Sequence, residues 1–214
     1  MVSSREAVRR ADSLFVNRAL IVIDVQESFR ARPQWQVVDN PEIVSRVGEL
    51  VAAARAGGDL VVWVLHAEPG TGTVFDPASG HVRLMDGLVP DAGEPVLTKT
   101  SHNAFTTTNL QQTLTGRGVR EIVVCGIRTE QCCETTARVG SDLGYAVTFV
   151  TEATATFPSP LWSAPPSQSL EEMLADPATL SARDMAQRTE YALAGRFATI
   201  ATVADVTGRV LTRS

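Results

Sequence analysis

Ala19-Leu-Ile-Val-Ile23, followed at once by Asp24, is the stretch of sequence that decides the fold. Its unbroken run of apolar residues, most of them β-branched, predicts a strand buried on both faces, as in a parallel sheet covered by helices. Similar short apolar runs recur along the chain. They predict five further strands, at Leu60–Leu65, Val96–Thr98, Glu121–Cys125, Ala146–Val150 and Ala198–Val203.

Segments with helical spacing lie between these predicted strands. Asn40 and Pro41 indicate the start of a helix, which is expected to end at Gly57. Three more helices are expected: one capped by Thr107 or Thr108, one over about residues 130–143, and one from Ser181 to about Leu193. The alternation of strands and helices predicts right-handed crossovers and a doubly wound α/β sheet.

The composition argues against several classes of function. The chain has 214 residues, a net charge of −5 and no run of Lys or Arg, so we expect no nucleic-acid partner. Its length fits a single domain, residues 1–214. The first ten residues are polar and hold no signal core, and the longest aliphatic or aromatic run, Leu60–Leu65, is too short to span a bilayer. Three cysteines, a low and odd number, favour a reducing compartment. We therefore expect a cytoplasmic protein with no membrane partner.

Two irregular segments interrupt the alternation. Residues 67–94 are rich in Gly, Pro, Asp and Thr, and residues 157–168 contain four prolines and Trp162. Long irregular connections in a compact domain are usually functional or disordered. We expect the 157–168 segment to act as a lid or as a subunit contact.

Three polar side chains follow predicted strands at the point where each strand ends. Asp24 follows the first strand, Lys99 follows the third, and Cys132 lies just past the fourth. Ligands of open α/β sheets bind beyond the carboxyl ends of the strands, so these residues are expected to share one crevice. A carboxylate, an ammonium and a thiol are the parts of a nucleophilic site.

Cys132 is the candidate nucleophile. It is expected in the first turn of a helix, where unpaired N–H groups lower the pKa of a thiol from its free value of about 8.5. The alternative is a small buried hydrophobic residue, the commonest fate of a free cysteine. Cys133 competes for the same role, but adjacent helical side chains point about 100° apart, so only one of the two can face the crevice. Cys125 ends a strand and is expected in the core.

Asp24 and Lys99 each have a bland alternative as well. Asp24 could cap the loop that follows it, and a lone lysine is usually a solvated surface residue. The sequence contains no Asp-x-His, His-x-x-His or Cys-x-x-Cys spacing and no Gly-rich phosphate motif. We therefore predict neither a metal nor a cofactor.

Three motifs resemble those of the isochorismatase-like cysteine hydrolases, which include nicotinamidases and N-carbamoylsarcosine and ureidoacrylate amidohydrolases. They are Leu20-Ile-Val-Ile-Asp24-Val-Gln26-Glu-Ser-Phe29, Lys99-Thr-Ser-His-Asn-Ala-Phe105 and Gly126-Ile-Arg-Thr129-Glu-Gln-Cys132-Cys-Glu-Thr-Thr136-Ala-Arg138. The resemblance covers about residues 17–155. It implies a three-layer α/β sandwich in which a six-stranded, mainly parallel sheet is flanked by helices. It also implies a homo-oligomer, a dimer or a tetramer.

The resemblance assigns a role to each residue of the expected site. Asp24, Lys99 and Cys132 form a catalytic triad, in which Cys132 attacks a carbonyl carbon, Asp24 carries protons and Lys99 supports both charges. A cis peptide bond between Ile127 and Arg128 is expected to shape an oxyanion hole with the N–H groups of Arg128 and Cys132. The candidates for binding a small-molecule substrate are Gln26, Phe29, His66, Phe105, Arg128 and Trp162.

Departures from the family pattern narrow the activity. Val64-Leu-His66 stands where nicotinamidases carry a metal-binding Asp-x-His, which argues against nicotinamidase activity. Isochorismatases proper lack the nucleophilic cysteine, so Cys132 argues against vinyl ether hydrolysis. The expected activity is metal-independent hydrolysis of a C–N bond in a small amide, ureido or imide-like compound. The alternatives are an isochorismatase-like vinyl ether hydrolase, an inactive scaffold of the same fold, and a redox role for Cys132 and Cys133.

Overall fold

The first strand, β1 (Arg18–Ile23), forms the centre of the sheet, and all of its residues are buried. The computed structural model describes residues 17–211, with side chains through residue 208. The polar first ten residues, and with them the predicted absence of a signal core, lie outside the described part. The other strands are β2 (Leu60–His66), β3 (Val96–Lys99), β4 (Glu121–Ile127), β5 (Ala146–Ala155) and β6 (Thr199–Ile200).

The sheet is parallel throughout and has the order β3-β2-β1-β4-β5-β6. The chain builds outward from β1 to β2 and β3, and then returns to place β4 on the other side of β1. This reversal makes the gap between β1 and β4 the topological switch point, where open α/β sheets bind their ligands. The predicted α/β sandwich with six parallel strands is confirmed.

Seven α-helices lie between and after the strands in the described part of the chain. They are α1 (Glu27–Arg30), α2 (Ile43–Ala56), α3 (Leu110–Gly116), α4 (Glu134–Asp142), α5 (Leu170–Ala175), α6 (Ala182–Leu193) and α7 (Val203–Leu211). A π-helical turn, Thr129–Cys133, precedes α4, and short 3₁₀ turns form at Pro33–Val37 and Pro77–Ser79.

Alternate residues of the strands supply two separate hydrophobic layers. Leu20 and Val22 face the layer that includes residues of α2 and α7. Ala19, Ile21 and Ile23 face the opposite layer, which includes residues of α3 and α4. The period of two along a strand therefore explains why an unbroken apolar run is needed at the centre of the sheet.

Several predicted boundaries differ from the structure. The sixth strand was expected over Ala198–Val203, but β6 contains only Thr199 and Ile200, and Val203 begins α7. Thr202 explains the difference, because its backbone and hydroxyl groups exchange hydrogen bonds with Asp205 three residues later and so cap a helix. Helix α5 was missed, although Ser169 and Glu172 form a capping box at its start.

The start of α2 lies two residues beyond the predicted Pro41, at Ile43. Asn40 does not cap the helix with its side chain. It donates instead to the carbonyl groups of Glu152 and Thr154, at 3.0 and 2.9 Å, on strand β5. A tertiary contact has thus replaced the local cap, while the predicted end at Gly57 is confirmed.

Candidate active site

Asp24 leaves the end of β1 in a backbone conformation that is unusual for a residue with a side chain. Its φ angle is 53°, in the left-handed region. Its N–H donates to the carbonyl of Val64 on β2 at 2.8 Å, which fixes this conformation at the edge of the sheet. The side chain is fully buried at the switch point between β1 and β4. Its carboxyl oxygens accept no hydrogen bond from the backbone of the loop that follows, so the alternative of a loop cap is wrong.

Gly126 allows β4 to approach β1 at this point. It pairs with Ile23 and has a φ angle of 128°. A Cβ atom at this position would lie 1.9 Å from the carbonyl oxygen of Ile23, so only glycine fits. The close approach carries the turn that holds Cys132 toward Asp24.

Lys99 lies at the end of β3 and is fully buried. Its ammonium nitrogen is 2.7 Å from Oδ2 of Asp24, 3.4 Å from Sγ of Cys132 and 3.3 Å from Nδ1 of His66. A lysine ammonium has three N–H donors, and three acceptors surround this one. The structure thus brings together the three residues that the sequence placed in one crevice, and Lys99 is no solvated surface residue.

Cys132 lies in the π-helical turn and not in the first turn of an ordinary α-helix. Burial and the neighbouring Asp24 carboxyl, which also hydrogen-bonds to the thiol, raise the pKa of Cys132 to about 12, although Lys99 opposes the shift. The expectation that the helix terminus lowers the thiol pKa is wrong, because loss of water and a nearby negative charge outweigh the N–H dipoles. The resting group is a thiol, so its nucleophilicity requires a base.

Asp24 is the base within reach of that thiol. Burial raises the pKa of the Asp24 carboxyl above its ordinary value, although Lys99 opposes the shift. Burial also acts on Lys99, but the charges of Asp24 and Cys132 outweigh it and raise the pKa of the ammonium. A carboxyl with a raised pKa beside a permanently charged lysine can accept a proton from sulfur and later release it.

The other two cysteines are less accessible. Cys125 and Cys133 are fully buried, and burial raises the pKa of both thiols. Cys132 retains 6% of its surface and alone contacts Lys99 among the three. The structure therefore separates Cys132 from Cys133, which the sequence left as competitors, and places Cys125 in the core as expected.

The turn before Cys132 contains a cis peptide bond between Ile127 and Arg128, at the position that the resemblance implies. The carbonyl of Arg128 accepts from the N–H groups of Gln131 and Cys133, which closes the turn. The guanidinium of Arg128 forms an ion pair with Glu130 at 2.8 Å and lies over the ring of Phe157 at 5.4 Å. The oxyanion hole formed by the N–H groups of Arg128 and Cys132 stays a prediction.

His66 and Gln26, two of the candidates for substrate binding, are engaged by other residues of the protein. His66 lies between Lys99 and Glu68, with its Nδ1 and Nε2 atoms at 3.3 and 3.4 Å from them. Gln26 is fully buried, and its amide bonds both backbone groups of His66 and the hydroxyl of Ser28. Because these bonds use its donor and acceptor capacity, Gln26 holds the end of β2 in place.

The aromatic candidates lie in different parts of the molecule. Phe29 is buried and packs against Phe75 and Phe157, at 5.1 and 6.2 Å between ring centroids. Phe105 is a core residue whose ring stacks on Tyr145. Trp162 is 92% exposed and lines a cavity that Arg128 also lines.

Sequence reasoning missed Arg32, Gln34 and Glu68. Arg32 and Gln34 line the cavity beside Arg128, and Glu68 contacts His66. They lie in loops, where periodicity gives no signal, and only their position after β1 and β2 could have drawn attention to them.

Residues 17–211 were also compared with the requirements for a membrane-spanning helix and for a metal site. No helix in this range is both long and apolar enough to cross a membrane. The same range holds no group of three or more His, Cys, Asp or Glu side chains placed to bind a metal ion.

Comparison with known proteins identifies the family to which this chain belongs. Residues 18–180 match the isochorismatase domain family. A streptothricin hydrolase from Streptomyces noursei is 34% identical over 143 residues, which cover 67% of this chain and 51% of that protein. Ureidoacrylate amidohydrolase RutB from an Enterobacter species is 29% identical over 170 residues, which cover 64% of this chain and 74% of that protein. The chain thus spans about half of the first relative and three quarters of the second.

A solved structure gives a similar result over nearly the whole chain. The cysteine hydrolase from Pseudomonas syringae pv. phaseolicola superposes with a TM-score of 0.79 at 26% identity, and the match covers 94% of this chain and 95% of that one.

Proposed function

The chain belongs to the isochorismatase family of hydrolases, and from that premise we propose that it is a metal-independent cysteine hydrolase. Its substrate is a small amide, ureido or imide-like compound, and the bond cleaved is a C–N bond. One observation carries the proposal: a fully buried ammonium, Lys99, lies within 3.4 Å of both the Asp24 carboxyl and the Cys132 sulfur. Burying such a group is costly unless it is paired, and here its partners are a proton carrier and a nucleophile.

The first half of the reaction forms a covalent intermediate. As the sulfur of Cys132 bonds to the substrate carbonyl carbon, its proton passes to Asp24, and negative charge develops on the carbonyl oxygen. The C–N bond then breaks while Asp24 returns the proton to the departing nitrogen. The products of this half are a free amine or ammonia and a thioester-type intermediate on Cys132.

The second half releases the acid. Asp24, ionised again, takes a proton from water, whose oxygen attacks the same carbonyl carbon. The C–S bond breaks, and the proton on Asp24 returns to sulfur to restore the thiol. Lys99 stays charged throughout and offsets the negative charge that moves between Asp24 and Cys132.

The relatives support C–N hydrolysis by their names. One is a ureidoacrylate amidohydrolase and another is a cysteine hydrolase. The first name agrees with a nitrogen leaving group, and the second agrees with a nucleophilic cysteine, as proposed for this chain.

The test is ammonia release from a panel of small primary amides, carbamoyl amino acids and ureido acids. The substrate found there is then given to Cys132→Ala and to Cys133→Ala, the matched control that removes the neighbouring sulfur. Ammonia release is expected to vanish in the first variant and to persist in the second. Mass spectrometry of wild type quenched in turnover is expected to show the acyl group on the peptide that contains Cys132.

Two outcomes contradict the proposal. Ammonia release that survives Cys132→Ala shows that the sulfur of Cys132 is not the nucleophile. Activity lost only in Cys133→Ala moves the nucleophile to that residue.

A further inference from the structure

A cavity of about 380 Å³ lies between the turn of Arg128 and the 157–168 segment. Its walls include two guanidinium groups, two side-chain amides and two aromatic rings, from Arg32, Arg128, Gln34, Gln168, Phe157 and Trp162. Arg128 lines this cavity and also begins the turn that leads to Cys132, so the cavity adjoins that turn.

The charge of Arg128 is already balanced. Its guanidinium pairs with Glu130 at 2.8 Å and donates to the hydroxyl of Thr156 at 3.3 Å. Glu130 also accepts a hydrogen bond from Thr156, so the three side chains hold one another in place. Arg128 therefore forms a fixed wall of the cavity.

The charge of Arg32 is not balanced in the same way. Among the side chains of residues 17–208, that of Arg32 makes no ion pair within 4.0 Å and no hydrogen bond. Burial and the charge of Arg128 lower the pKa of its guanidinium, and the charge of Glu68 opposes them only in part. The carboxylate of Glu68 is itself engaged by His66 and Thr73. A half-buried cation beside a second cation is costly unless an anion joins them.

The two amides add hydrogen-bonding capacity to the same space. The carbonyl oxygens of Gln34 and Gln168 are buried and have no hydrogen-bond partner among the described residues. These two oxygens are acceptors and cannot hold an anion, whereas the amide N–H₂ groups of the same two side chains can donate to one. Phe157 and Trp162 add apolar surface beside them. The cavity thus offers one uncompensated cation, two amide donor groups and an aromatic wall, which is the composition of a small-molecule site.

We propose that this cavity binds a carboxylate group of the substrate, and that Arg32 is the residue that recognises it. The planar guanidinium fork matches the two oxygens of a carboxylate. The inference rests on the proposed function and narrows it: the compound cleaved at Cys132 carries a carboxylate at its far end. Arg32 is then a specificity residue that contributes to binding and not to the chemical step.

The test uses a matched pair of amides, succinamate, which carries a carboxylate, and succinamide, which is its neutral counterpart. Wild type is expected to favour succinamate in kcat/KM. Arg32→Gln is expected to raise KM for succinamate at least tenfold, with little change in kcat and no change for succinamide. Arg46→Gln is the control, since it removes the same charge from the exposed surface of α2, where Arg46 pairs with Glu49.

Binding to Cys132→Ala separates this inference from the proposed function. Titration calorimetry with succinamate, and with the one-carbon-longer glutaramate, reports the cavity even if neither compound is hydrolysed. Saturable binding that disappears when Arg32→Gln is added supports the site. The inference is overturned if neither carboxylate binds, if Arg32→Gln leaves the preference for succinamate unchanged, or if inorganic phosphate competes as well as the carboxylates do.

Discussion

Gly126 offers the sharpest test of how the fold places the site, through the substitution Gly126→Ala. The added methyl group would lie 1.9 Å from the carbonyl oxygen of Ile23, and the backbone would keep a φ angle of 128°. Real Cβ atoms do not tolerate such a contact with backbone, so β1 and β4 must separate. Ile23 is the residue before Asp24, so the separation also moves the carboxyl that lies 2.7 Å from Lys99.

The expected cost follows from two contributions. A side chain in a sparsely populated backbone region costs about 1–3 kcal/mol, and overpacking a filled interior costs about as much again. The free energy of unfolding should therefore fall by about 2–6 kcal/mol, out of a total of about 5–15 kcal/mol for a typical domain. For a chain of this size, each kcal/mol lowers Tm by about 2–4 °C.

The assay is urea and thermal denaturation, followed by ammonia release at a temperature where the variant is folded. Gly48→Ala is the matched control. Gly48 lies inside α2 with nothing within 4 Å of an added Cβ, so alanine should stabilise the helix by about 0.5–1 kcal/mol. We expect Gly126→Ala to be destabilised and to lose activity beyond the unfolded fraction. A Gly126→Ala protein as stable and as active as wild type would refute the reasoning.

Three further predictions follow from charges in and around the site. Because the thiol pKa of Cys132 is raised to about 12, iodoacetamide should label this thiol slowly at neutral pH in the free enzyme, and faster as the pH rises. Mass spectrometry can follow the labelling, and rapid labelling at pH 7 would contradict the raised pKa. Burial raises the pKa of Asp24, and the reaction needs the ionised carboxylate, so kcat/KM should fall on acidification at a pH above the ordinary aspartate value of about 3.9; an acid limb at or below that value would argue against Asp24 as the base. Glu134 is buried and accepts hydrogen bonds from Arg138, Arg188 and Thr189, so Glu134→Ala should lower the free energy of unfolding, measured in urea, by about 1–3 kcal/mol. The control Glu49→Ala removes an exposed ion pair and should lower it by less than about 1 kcal/mol. Equal effects of the two substitutions would show that the buried network adds no stability.

The central sheet could be predicted because burial on both faces leaves a direct trace in the sequence. Ala19–Ile23 is apolar at every position, and both of the layers that it separates are hydrophobic. The sequence gives a weaker signal for the strand at the edge of the sheet, β6. Ala198–Val203 was expected as a strand from its composition, yet the hydrogen bonds between Thr202 and Asp205 start a helix there.

In the candidate site, the sequence predicted where the residues lie, but it did not predict the surroundings of each side chain. The ends of the strands placed Asp24, Lys99 and Cys132 together, since parallel strands end at one edge of a sheet. The pKa of Cys132 could not be predicted, because it depends on how much water is excluded and on the distance to Asp24. The environment of Arg32 likewise depends on which side chains the loops bring near it, and Phe105, part of a matching motif, packs in the core instead.

The two outer strands of the sheet have a consequence for how copies of this protein can associate. Strand β6 has two residues and β3 has four, so both edges expose only a short row of unpaired backbone groups. Foreign strands need such a row as a template for addition, and short edges are one means by which proteins resist cross-β aggregation. If copies associate, we expect the contacts to use side chains on helices and loops and not an extension of the sheet from one molecule into the next.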